Sequence, residues 1–226
     1  MKKIFFQKLF PVVSFIFSFY YQTHAQVPVS KEPRHHNVFE NEYVRLLDVR
    51  IQPGDTTQVH IHATPSVFIS LSNAKSGSQV ISEEQKPPAT DYDGIWFEGF
   101  YKQPRIHRVW NSDTILFHVI DVELLLKKHT DAVKPLEINH AKFLFEEKEA
   151  RLYRVNLNAA ENFIIDNHEL PLLLIALSES NAEIAYHNTA ITKSFAKGDF
   201  FWIDGGEKFS LQNVSDGAAF VLIEFK

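Results

Sequence analysis

Hydrophobic positions along this chain alternate with polar ones far more often than they recur at helical spacing. Residues 43–51 put Leu47, Val49 and Ile51 on one face and Asp48 and Arg50 on the other, the signature of a half-buried strand. Residues 65–72 set Val67, Ile69 and Leu71 against Ser66, Phe68, Ser70 and Ser72. Residues 114–122 and 218–225 are longer β-rich runs. Beyond the first 25 residues no long segment keeps a 3.6-residue period. The Leu- and Lys-rich link 122–128, ahead of Pro135, reads as a strand end or one helical turn at a junction. Residues 73–93, with Gly77, Pro87 and Pro88, form a polar loop with one short strand near 79–81. Loops of that length often cover or shape a site. The pattern predicts an all-β protein.

The second half repeats the first. Residues 39–72 align with 145–178 at a constant offset of 106 and without a gap, with ten identities in 34 pairs, among them Arg45/Arg151, Val49/Val155, His62/His168 and Pro65/Pro171. Trp96 and Trp202 keep that offset; Asn111 then matches Asn213, and 117–121 matches 220–224. Two copies of about 100 residues each predict two tandem domains, since a solenoid needs shorter and more numerous repeats. The expected divisions are 1–25, 26–130 and 131–226.

His60 and His62 are two residues apart in a strand-like stretch, so their side chains share a face, roughly 7 Å apart. A third imidazole from a neighbouring strand, His107, would complete a facial set around one divalent cation and leave positions open for water or substrate. Gly54, five residues, then His60-Ile61-His62 resembles the first motif of the cupin superfamily. Pro104, His107 and Asn111 resemble the second. The resemblance covers nearly all of the chain after residue 25. It implies two jelly-roll barrels, a bicupin, with a transition metal (Fe, Mn, Ni, Cu or Zn) on His60, His62 and His107. The family's usual fourth ligand, a Glu four or five residues after the second His, is absent; Ser66 and Val67 stand there.

In the second copy the same alignment turns His60 into Asp166 and His107 into Phe209, while His168 stays. That copy is expected to stabilise, dimerise or close the first, which makes a homodimer one expected assembly. Glu98 and Tyr101, together with Phe97 and Arg105, flank the third imidazole and lack counterparts in the second copy, so Glu98 and Tyr101 are the candidate acid–base groups. His35 and His36, in the polar lead-in, are expected in solvent, and His118 is expected to pack. Arg45 and Arg151 are expected to tie their sheets to carboxylates, and Trp96 and Trp202 to fill space. Two functional classes follow: a metal-dependent dioxygenase-like or isomerase-like enzyme acting on a small organic substrate, or a non-catalytic small-ligand-binding or structural bicupin. A doubly charged ion held by neutral ligands favours an anionic partner.

Lys2, Lys3 and Lys8 precede an uncharged, mostly apolar run over 9–21 and a small residue, Ala25. That order describes a secretory signal peptide, too short to span a bilayer, and predicts a periplasmic or secreted protein. Removing three lysines takes the formal charge from −5 to −8, which argues against nucleic-acid or anionic-membrane partners. With no cysteine, disulfides, thiol catalysis and thiolate ligands are all excluded.

Overall fold

The computed structural model describes residues 26–81, 93–125, 130, 132–166 and 168–226. The expected signal peptide, the Pro87–Pro88 part of the long loop and most of 126–131 lie outside them. Among the described residues the chain is all β, apart from one 3₁₀ turn, Val29–Lys31. In the first half the strands are β1 (Val27–Pro28), β2 (His35–Glu40), β3 (Val44–Ile51), β4 (His60–His62), β5 (Ser66–Ser70), β6 (Ser76–Val80), β7 (Ile95–Glu98), β8 (Arg105–Asn111) and β9 (Phe117–Leu124). In the second they are β10 (Ala141–Glu146), β11 (Ala150–Asn158), β12 (Asn162–Ile165), β13 (Leu172–Ala176), β14 (Ser180–Tyr186), β15 (Thr189–Phe195), β16 (Phe200–Ile203), β17 (Phe209–Asn213) and β18 (Gly217–Phe225).

Each half folds into a jelly-roll barrel of two facing sheets, and the strand orders correspond. The larger sheet runs β2-β3-β9-β5-β7 in the first barrel and β10-β11-β18-β13-β16 in the second. The smaller sheets are β1-β4-β8-β6 and β12-β17-β14-β15. The two larger sheets also pack on each other. Val44, Leu46, Val67, Ile69, Val122 and Leu124 meet Leu152, Leu173, Ile175, Val221, Ile223 and Phe225 in one buried cluster, flanked by Phe39, Tyr43 and Trp202. Both faces of these sheets are therefore covered. Leu47, Val49 and Ile51 point into the first barrel, whereas Val67, Ile69 and Leu71 face the second half.

The duplicated arginines anchor this arrangement. Arg45 pairs with Glu40 and Glu123, and Arg151 with Glu146 and Glu224. Those pairs also correct the expected match of the closing strands. Arg45 lies opposite Glu123 and Arg151 opposite Glu224, so Glu123, not Asp121, corresponds to Glu224. A two-residue slip leaves every side chain on its original face, so hydrophobic alternation cannot detect it.

Candidate metal centre

The turn that feeds β4 closes when Asp55 N–H donates to Gln52 O, with Gly54 at φ 77°. Pro then Gly at the two central positions is the residue choice of a type II turn. β4 then alternates inward–outward–inward, burying His60 (0% exposed) and His62 (3%). His107 on β8 lies directly opposite His60. Ring centroids stand 5.0 Å apart for His60 and His62, 4.6 Å for His60 and His107, and 5.0 Å for His62 and His107. Asn111, four residues beyond His107, donates from Nδ2 to Ile51 O and Ile115 O at 2.9 and 2.8 Å. It locks the end of β8 to β3 and so fixes the register that sets the two ligand strands against each other.

One nitrogen of each of two rings is held by a neighbour. His60 Nδ1 lies 2.9 Å from Gln58 O and His107 Nδ1 3.1 Å from Ser78 Oγ. The Nε2 atoms of both are buried without a hydrogen-bond partner. An unpaired buried polar atom costs about 1–3 kcal/mol, and two on residues that line one cavity fit a metal ion, with the bonds on Nδ1 orienting the rings. Burial, then the neighbouring imidazole of His35, pulls His60 down to about 4. Burial, then His60 and Arg105, pulls His107 to about 3. Burial and the surrounding imidazoles hold His62 well below the ordinary range. All three are thus neutral near pH 7, the state in which imidazole ligates.

His35 was expected in solvent and is not there. It is buried at the start of β2, its ring 4.8 Å from His60 and 6.2 Å from His62, while His36 points outward. One potential ligand atom from each of His35, His60 and His62 falls within 4.8 Å of the others. β2 keeps the 106-residue offset to β10 upstream of Phe39, but its burial does not alternate, with Val38 45% exposed beside a bulge between Asn37 and Phe39, so hydrophobic pattern did not mark His35.

The cavity beneath these rings holds about 100 Å³. Its walls are mostly apolar, with Phe68 stacked on Trp96 and Phe100 stacked on His62. Trp96 therefore shapes the site as well as packing. Phe100 reaches its place with a φ of 50°, a strained conformation for a bulky residue. Asp121 also lines the cavity, fully buried, with Oδ2 3.5 Å from His62 Nδ1. Burial, reinforced by Glu123, raises its carboxyl well above the usual range. Glu98 lines the cavity as well, bound by Arg105 at 2.5 and 2.7 Å. Tyr101 does not. It is 58% exposed and donates to Glu149 Oε2 at 2.5 Å, bridging to the second half; its backbone leaves β7 past Phe100, which turns the phenol outward. His118 is held by Asp48 at 2.7 Å, outside the cavity.

The second barrel has no comparable constellation among its described residues. Phe209, opposite Ile165, takes the place that His107 takes opposite His60. The gapless alignment put Asp166 in the place of His60, which Ile165 takes. One residue fewer between Glu161 and Ile165 than between Asp55 and His60 moves Asp166 to the outer face, where it pairs with Lys208 at 2.7 Å. Phe163, Phe195, Phe209 and Phe220 fill the interior. Both nitrogens of His168 sit at hydrogen-bond distance from backbone carbonyls, those of Leu170 and Glu207, at 2.8 and 2.6 Å.

Neither a family model nor a curated protein matches the sequence. Solved structures do match. AerE from Microcystis aeruginosa superposes with a TM-score of 0.53 at 12% identity, over 86% of this chain and 98% of its own. A variant of salicylate 1,2-dioxygenase from Pseudoaminobacter salicylatoxidans, in complex with gentisate, superposes with a TM-score of 0.57 at 11% identity, over 88% of this chain and 76% of its own. The chain has the cupin fold, in two jelly-roll barrels. At such identities the likeness extends to the fold alone.

Proposed function

We propose that this chain is a duplicated, metal-binding cupin whose first barrel holds one divalent transition metal on His60, His62 and His107 and takes a small organic molecule beside it. The observation that carries this reading is the pair of buried, unpartnered Nε2 atoms on His60 and His107, whose rings lie 4.6 Å apart and each 5.0 Å from that of His62. When bound, such an ion supplies a Lewis acid, or a redox centre for oxygen chemistry. The chain's own residues supply the rest. Phe68, Trp96, Phe100 and Phe117 line the cavity with apolar surface. Arg105, paired with Glu98, sets a guanidinium at its wall. Asp121, held neutral by burial, is placed to carry a proton beside His62. A cavity of about 100 Å³ suits one small ring or short acid and is smaller than the roughly 300–1,000 Å³ of drug-sized sites.

A small carboxylate-bearing aromatic fits the apolar walls and the guanidinium, and the gentisate bound to the fold-related dioxygenase belongs to that class. Dioxygenase-like chemistry is the reading for catalysis, with Glu98 and Asp121 as the acid–base candidates. The basic, apolar and small-residue order of the first 25 residues supports export to a periplasm or beyond the cell. No helix among the described residues is long and apolar enough to cross a membrane.

Metal content of protein purified without chelator tests the centre. The wild type should carry close to one ion per chain, His60→Ala should carry none, and His168→Ala should match the wild type. Equal loss in both variants, or a metal-free wild type, overturns the assignment.

A further inference from the structure

The first barrel carries an N-terminal segment with a chemistry of its own. β1 lies parallel to β4, with Val27 opposite His60. Val29 is 2% exposed and packs into the first barrel's core. The 3₁₀ turn then delivers Glu32, 1% exposed, against the start of the ligand strand. A buried carboxylate must be compensated, and Glu32 is. Its Oε2 accepts from His35 Nδ1 at 2.7 Å and Arg34 N–H at 2.8 Å, and its Oε1 accepts from Gln58 N–H at 3.0 Å. Gln58 O in turn holds His60 Nδ1. Arg34 closes the segment onto the β4 turn through Asp55, at 2.8 and 3.0 Å.

One carboxylate therefore positions two imidazoles, His35 directly and His60 through the backbone of residue 58. With Nδ1 engaged by Glu32, Nε2 is the nitrogen His35 has left to offer, and His35 lies on the side of the cavity where His60 and His62 converge. A histidine bonded through one nitrogen to a carboxylate and presenting the other is the usual arrangement of a ligating imidazole.

The positions where the family motif carries its acidic ligand do not compete. Ser66 donates to Thr64 O, and Val67 faces the second barrel. We infer that His35, oriented by Glu32, is a fourth ligand of the proposed centre, and that ion binding is coupled to docking of residues 27–35. This rests on the metal reading above. Glu32 then supplies, at one remove, the negative charge that the missing glutamate would have brought into direct contact with the ion. A histidine that only packs would leave affinity and coordination number unchanged when replaced.

Co²⁺ is the probe, added to the metal-free mature protein and followed by its visible absorption and by competition with a chelator. His35→Ala should weaken Co²⁺ binding about 10–100-fold and change the intensity of the visible bands, because coordination number falls. Glu32→Gln should weaken it by a smaller factor, and His36→Ala, at the exposed neighbour, should leave both readouts unchanged. Should His35→Ala fold poorly, the wild type decides: its Co²⁺ form should show four strongly shifted imidazole N–H proton signals, and three would overturn the inference. Amide exchange over 27–35 should slow on adding Co²⁺ to the wild type and not to His35→Ala. Wild-type affinity and spectrum in His35→Ala overturn the fourth ligand and leave the three-histidine centre standing. Failure of the wild type to bind Co²⁺ overturns the metal reading itself.

Discussion

His60, His62 and His107 are neutral because they are buried, and that has a cost that depends on pH. His60 is pulled from 6.5 to about 4 in the folded chain, so between those values the unfolded state binds a proton that the native state lacks. Stability of the metal-free protein is then fully present above pH 6.5 and lost as pH falls toward 4, by about 3 kcal/mol from His60 alone. Urea unfolding in chelator from pH 8 to pH 4 checks this. His60→Gln should flatten the dependence, and an unchanged slope would show that the imidazole is not held neutral. The role of Asp121 was not legible in the sequence, because it sits in an apolar run that reads as closing strand. Only the opposing β4 makes it a neighbour of His62.

At the scale of elements, the turns before β4 and β12 share a left-handed residue and the same backbone hydrogen bond. Gly54 has φ 77° and Ala160 has φ 63°, and both N–H groups donate to the matched asparagine carbonyls, Asn111 O and Asn213 O. An alanine in this left-handed region costs roughly 1–2 kcal/mol. No atom lies within 4 Å of a Cβ built on Gly54, so Gly54→Ala should lose about 1 kcal/mol from backbone strain alone, and Ala160→Gly should gain a similar amount. Chemical denaturation of the two single variants measures both. Equal destabilisation by both would mean that packing, rather than φ, decides. The glycine was readable as a turn residue. The one-residue contraction after Glu161 was not, since ten identities carried the alignment across it, and it moves Asp166 to the opposite face.

Across the whole molecule the larger sheets are buried on both faces, one against their own barrel and one against the other half. Leu173, 0% exposed, sits in the shared cluster. Leu173→Ala should cost about 2–5 kcal/mol, although it touches neither the candidate centre nor the second barrel's own interior. Because the cluster joins the halves, calorimetry should record a single transition for the wild type, with the variant splitting or broadening it. Two separate transitions in the wild type would show that the barrels fold independently of this contact. The same double burial explains why alternation along 65–72 marked a strand and left its orientation open. Val67 and Ile69 cover the second half, while Phe68, placed with the serines, lines the cavity.

The residues alone determined the β class, the repeat, the spacing of His60, His62 and His107, and the decay of that set in the second copy. These are local or periodic properties, written in neighbouring positions and in the comparison of one half with the other. The tertiary structure decided which faces meet and which distant residues join the site. His35 and Glu32 enter it because the lead-in folds back along β4, Asp121 because two sheets face each other, and Tyr101 leaves it because the chain turns at Phe100. None of these follows from spacing, since contacts across a barrel interior depend on the register and closure of strands far apart in the chain.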